Sequence, residues 1–119
     1  AGETRDGLVA NLKWRDYSKI GRGKVGGLRG LWRGVREEKT KWVLFSSIAS
    51  MVGNTGQTNY AAVNGFMDGF AGGRRSDRVV SMNWGAWEVG MYEEKMGRRK
   101  GVGLIKRHEA GALLELGWS

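Results

Sequence analysis

Five side chains in this sequence could act together on a carbonyl group: Lys24, Ser46, Ser47, Tyr60 and Asn64. Tyr60 and Asn64 are four residues apart in an alanine-containing stretch, so on a helix they share one face. Ser46 and Ser47 close a short apolar run, Trp42-Val43-Leu44-Phe45, that reads as a buried parallel strand. In open α/β sheets the ligand crevice lies beyond the carboxyl ends of the strands, which places both serines where chemistry is done. A tyrosine there can give a proton to a carbonyl oxygen if a nearby cation lowers its reference pKa of about 10, and Lys24 is the candidate cation. Hydrolytic nucleophile chemistry has little support: the chain has no cysteine, only one histidine (His108), and no acid adjacent to either serine. The same counts remove disulfides, cysteine-based zinc or iron–sulfur sites and histidine clusters. No metal site is expected. A buried tyrosine with a polar neighbour is more often structural than catalytic, so these residues do not decide the matter alone.

The elements that must position these residues follow from periodicity. Leu8, Val9, Leu12 and Tyr17 suggest an amphipathic helix over 5–20, broken near Lys13. Gly21-Arg22-Gly23 reads as a break, followed by a second helix on Val25, Leu28, Leu31, Trp32 and Val35 that ends at the charged stretch 36–39. Residues 50–58 read as a loop. A helix then carries Tyr60, Val63, Asn64, Met67, Asp68 and Phe70 to Gly72-Gly73, and 79–84 is the next strand. Strand, helix, strand at this spacing is a parallel βαβ crossover, right-handed by the general rule. A last amphipathic helix is expected from about His108 to Leu116.

With 119 residues the chain is one domain or part of one. Six tryptophans and 40% apolar residues supply a core, and 21 glycines follow no period, which excludes collagen-like and solenoid architectures. The chain holds no uncharged apolar run of about 18 residues, so no membrane-spanning helix is predicted. Twenty Lys and Arg against twelve Asp and Glu give +8, which points to an acidic partner. The basic segment 95–100 reads as a solvated face, and no nucleic-acid fold motif accompanies it, so nucleic acid is not an expected partner. Absence of cysteine fits a reducing intracellular compartment, cytoplasm or organelle.

The order of motifs is more specific than any single one. Phe45-Ser46-Ser47-Ile48-Ala49 is followed by Gly53-Asn54-x-Gly56-Gln57-x-Asn59-Tyr60-Ala61-Ala62-x-Asn64-x-Phe66-x-Asp68, then Arg74-Arg75, then Asn83-Trp84-Gly85-x-Trp87. This series resembles the ketoreductase domain of polyketide synthases and animal-type fatty acid synthases, members of the short-chain dehydrogenase/reductase superfamily. Ala1-Gly2 with Arg5-Asp6-Gly7-Leu8 looks like the segment after that family's fourth strand, and Lys24-Val25-x-Gly27-x-x-x-Leu31 like its lysine-bearing helix.

The resemblance implies an α/β, Rossmann-like, doubly wound parallel sheet. Residues 1–119 would form the carboxyl-terminal part of a single such domain, with about two strands and flanking helices, and residues 88–107 would be a lid-like segment. It implies NADPH-dependent reduction of a carrier-bound β-ketoacyl thioester to the β-hydroxyacyl form, with an acyl carrier protein as partner. Tyr60 would donate the proton, Ser47 would orient the keto oxygen, Lys24 would support the tyrosine and Asn64 would complete the set. Ala1, Gly2, Trp84 and Gly85 would lie near the nicotinamide. Gln57 stands where a tryptophan marks one stereochemical class of the family, which disfavours that class. Ala86 stands where proline is common, and the segment after Arg74-Arg75 is shorter than usual. The glycine-rich cofactor turn would belong to a front half outside these residues. Gly21-x-Gly23-x-x-Gly26 matches that fingerprint in letters but follows no strand, so it is not read as a nucleotide loop. The alternative expectation is a non-catalytic, ketoreductase-derived subunit of a larger assembly, completed by other chains.

Overall fold

A computed structural model describes residues 3–35, 39–74, 78–87 and 103–117. It divides into two compact units, Ala1–Asn83 and Trp84–Ser119.

In the first unit a 3-10 turn at Val9–Asn11 leads into helix α1 (Trp14–Gly21), where the Asp16 carboxylate accepts the Lys13 N–H at 2.9 Å. The expected break at Gly21-Arg22-Gly23 is absent. Helical dihedrals continue through a π segment (Arg22–Gly26) into α2 (Gly27–Gly34), and the Gly27 N–H reaches back five residues to the Arg22 carbonyl. Glycine lowers helix propensity by about 1 kcal/mol without forbidding the conformation. Burial of Ile20 before the segment and Leu28 after it anchors both sides. The fingerprint-like glycines are therefore helical, with the Arg22 N–H bonded to the Ser18 carbonyl, and do not form a phosphate-binding turn.

Strand β1 (Trp42–Ser47) runs two residues beyond its apolar core to take in both serines. A short helix α3 (Ala49–Val52) occupies the start of the expected loop, because Met51 and Val52 N–H groups both return to the Ile48 carbonyl. Gly53 and Gly56 then turn the chain with φ of 72° and 77°, a region open to glycine at little cost. At Gly56 the backbone of Gly7 comes close, and the Gly7 N–H donates to the Gly56 carbonyl at 2.7 Å. Helix α4 (Thr58–Gly72) and strand β2 (Val79–Trp84) follow, and the first unit ends at Asn83 within β2. β2 pairs with β1 in a two-stranded parallel sheet, so this is an α/β fragment as the motif order implied.

The core of this unit joins Leu28 of α2, Leu44 of β1, Met67 and Ala71 of α4 and Val79 of β2. Trp32, Trp42 and Phe70 pack on it, and the Arg74 guanidinium sits 3.5 Å from the Phe70 ring centroid. Trp14 contributes nothing to it, being 81% exposed. Met67→Ala should destabilise the protein by about 2–5 kcal/mol, read from the shift in denaturant midpoint; a loss below about 1 kcal/mol would mean that the site collapses around the smaller side chain.

In the second unit Trp84 and Trp87 meet edge to face at 4.9 Å. Trp87 forms a parallel bridge with Ile105, and helix α5 (Arg107–Leu116) starts where Glu109 accepts the Lys106 N–H at 2.8 Å. Residues 88–102 of the expected lid, with the basic segment 95–100, lie outside the described residues. Among the described residues no helix is long and apolar enough to cross a membrane.

Candidate active site

Lys24 sits on the π segment, and that wider turn aims its side chain at α4 and the end of β1. Its Nζ donates to Asn64 Oδ1 at 2.6 Å and to the Phe45 carbonyl at 2.8 Å, and lies 5.4 Å from the centroid of the Tyr60 ring. Three of the four expected catalytic residues thus meet across 36 to 40 residues of sequence. Burial pushes the Lys24 ammonium below its ordinary pKa, and the Asp68 carboxylate opposes that shift.

Asn64 is completely buried. Its Nδ2 donates to the Tyr60 carbonyl one turn earlier at 2.8 Å, which leaves Oδ1 turned to Lys24. The amide is oriented from both ends, and its own backbone carbonyl accepts a bond from Ser46 Oγ at 3.3 Å. Ser46 is therefore a buried tie between β1 and α4.

Ser47 is the last residue of β1, and its Oγ accepts the Ala49 N–H at 3.3 Å. A hydroxyl that accepts from the backbone keeps its proton to give. The phenol and a half-buried ammonium meet here, and the Ser47 hydroxyl stands two residues past the Phe45 carbonyl that Lys24 holds; groups of these types can donate protons to an oxygen that gains negative charge.

Behind Ser47 lies a polar cluster that the sequence reading left undivided among its motifs. Asp68 Oδ1 accepts from Ser81 Oγ at 2.6 Å, and Oδ2 accepts from Ser50 Oγ at 2.5 Å and from Asn83 Nδ2 at 2.9 Å. Burial raises the pKa of this carboxyl, but bonds from Ser50, Ser81, Ser46 and Asn83 outweigh it and hold the group below the usual carboxylate value. The signal was available: Asp68 stands four residues after Asn64 and eight after Tyr60, on the same helix face.

A second buried amide, Asn59, ties the segment at Arg5 to α4 by donating to the Arg5 carbonyl at 2.8 Å, and Gln57 donates to Asp6 at 3.1 Å. Of the residues expected beside a nicotinamide, Ala1 and Gly2 lie outside the described residues, and Trp84 and Gly85 belong to the second unit. Among the described residues no three His, Cys, Asp or Glu side chains gather as a metal site requires.

The model of the KR domain family matches residues 1–89. The chain is 36% identical over 91 residues to the mycoketide-CoA synthase of Mycobacterium tuberculosis, covering 74% of this chain and 2% of that one. It is 34% identical over 119 residues to a 6-methylsalicylic acid synthase of Arthrobotrys oligospora, covering 92% of this chain and 7% of that one. Among solved structures it is similar to A-type ketoreductases from a modular polyketide synthase (35% identity, TM-score 0.85), covering 98% of this chain and 27% of that one. It also matches a ketoreductase domain from the bacillaene assembly line (30% identity, TM-score 0.79), covering 98% and 32%. The chain thus spans less than a tenth of these two synthases and between a quarter and a third of these two ketoreductase structures.

Proposed function

Since this chain belongs to the KR domain family, we propose that it supplies the proton-donating residues of a ketoreductase acting on polyketide intermediates. The substrate in this reading is a β-ketoacyl thioester held by an acyl carrier protein, and the product is the β-hydroxyacyl thioester. Tyr60 gives its phenolic proton to the keto oxygen, and the Ser47 hydroxyl donates a hydrogen bond to the same oxygen. Lys24 presents positive charge to the phenolate left behind, and Asn64 holds Lys24 in place. The observation that carries this reading is the 2.6 Å bond from Lys24 to Asn64 with the Tyr60 ring 5.4 Å from the same ammonium.

NADPH, when bound, supplies the hydride to the carbonyl carbon. The donor set fits that partner chemistry, because a hydride arriving at carbon leaves an alkoxide that these residues can protonate. Trp84 and Gly85, with Ala1 and Gly2, are the residues of this chain proposed to border the nicotinamide. Among the described residues no glycine-rich turn follows a strand to take the pyrophosphate, and we assign that role to the rest of the ketoreductase domain.

The test is to incubate the full-length protein with NADPH and the N-acetylcysteamine thioester of a β-keto acid, following NADPH oxidation together with formation of the β-hydroxy thioester. Matched loss and formation support the reading. A folded protein that binds NADPH and forms no hydroxy thioester overturns it and favours a non-catalytic, structural role.

A further inference from the structure

We infer that Asp68 is a positioning residue for Ser47, clamping the carboxyl end of β1 through Ser50 and Asn83. The kinetic part of this inference rests on the ketoreductase reading above; the structural part does not.

Asp68 joins three elements at one point. It projects from α4, Ser50 from α3, and Ser81 and Asn83 from β2. An ionised carboxylate only accepts hydrogen bonds, and donors from two other elements, α3 and β2, converge on its two oxygens. Charge-assisted bonds of this kind are shorter and roughly twice as strong as neutral ones. Two of the three donors lead directly to Ser47. Ser50 Oγ lies 2.7 Å from the Ser47 carbonyl, and Asn83 Nδ2 lies 3.4 Å from that same carbonyl and 2.9 Å from Ser50 Oγ. Asn83 also reaches Ser46 Oγ at 3.4 Å, and Ser46 in turn holds the Asn64 carbonyl. The carboxylate therefore fixes the backbone on which Ser47 is mounted, and its contacts extend to the amide that orients Lys24.

Ser50 shows why the charge matters. Its hydroxyl has one proton and two close acceptors, the Asp68 carboxylate at 2.5 Å and the Ser47 carbonyl at 2.7 Å. The stronger acceptor holds the hydroxyl in place, and the Asn83 amide closes the triangle by donating to both. Without a carboxylate, Ser50 and Asn83 share only the Ser47 carbonyl, which Asn83 reaches at 3.4 Å, and the turn after Ser47 loses its tie to α4. Asp68 touches none of the groups proposed to react: it acts through Ser47 and through its field on Lys24, and rates read on the plateau below the alkaline limb isolate the first of these.

The experiment is a double-mutant cycle in the full-length protein: wild type, Asp68→Asn, Ser47→Ala and the double variant. Asn preserves volume, and the Ser81 hydroxyl can rotate to accept from it. A tilt of the Ser47 hydroxyl by a fraction of an ångström should lower kcat about tenfold in D68N, with the Kd for NADPH within about twofold. In the S47A background the same change should cost less than about twofold, since the residue acted upon is gone. An equal loss in both backgrounds overturns the inference. Hydrogen exchange gives an independent readout: D68N should speed exchange of the Ala49 and Ser50 amides about tenfold and leave Val63 and Met67 unchanged. Unchanged exchange at Ala49 and Ser50 also overturns the inference. A wild type without turnover defeats the ketoreductase reading, and the exchange result then decides the clamp alone. If D68N fails to fold, Ser50→Ala, which removes one donor and keeps the carboxylate, carries the same cycle with the same outcomes.

Discussion

Tyr60→Phe should lower NADPH-dependent reduction about a thousandfold or more, because the general acid is lost from a step where proton transfer contributes about 10²–10⁴. The fold should survive. The Tyr60 N–H donates to Asn59 Oδ1, and its carbonyl accepts from Asn64 Nδ2, both through backbone atoms that phenylalanine keeps. The aromatic face toward Lys24 is also kept. Melting temperature and NADPH affinity are therefore expected to match the wild type while kcat collapses. A variant that retains a tenth of wild-type kcat would show that the proton comes from another donor, with Ser47 or water the first to examine.

What the sequence made legible followed from short-range geometry. Tyr60 and Asn64 at four-residue spacing had to share a face on a helix, and the short segments 42–45 and 79–84 read as strands, because both signals are local. The meeting of Lys24 with Asn64, forty residues apart, came only from the family resemblance. No periodicity predicts which helix packs on which. The π segment was hidden for a physical reason: four glycines among residues 21–27 have the composition of a turn, and only packing on either side keeps them helical. Helix α3 was hidden because four residues carry too little pattern to register. The Asp68 clamp was missed because its members come from three elements, and each alone reads as an ordinary polar residue. Trp14 shows the limit of composition: it is one of the six tryptophans counted toward a core, yet it stands in the open on the first turn of α1.

Lys24→Met should lower kcat about a hundredfold, less than Tyr60→Phe, since the phenol remains and only the charge that supports it is gone. It should also destabilise the protein by about 1–3 kcal/mol, because the buried Asn64 Oδ1 loses its donor. A pH series separates the catalytic from the structural part. The Lys24 pKa lies below the ordinary value of 10.5, lowered by burial and partly restored by Asp68. In the wild type the ammonium is lost as pH rises through that lowered value, so kcat should fall on an alkaline limb that begins before the range of a free lysine. Stability moves the other way. Between the lowered folded pKa and 10.5 the unfolded chain holds a proton that the folded chain has released, so the contribution of Lys24 to stability rises with pH across that window. Below the folded pKa the burial penalty is present in full. An alkaline loss of kcat accompanied by a rise in this contribution thus marks Lys24, whereas general alkaline unfolding would lower both. Lys24→Met should remove both trends, and Asp68→Asn should move the wild-type limb to lower pH by withdrawing the carboxylate that helps to keep the ammonium charged. An alkaline limb unchanged in the Lys24→Met protein would assign it to another group and would strip Lys24 of its proposed role.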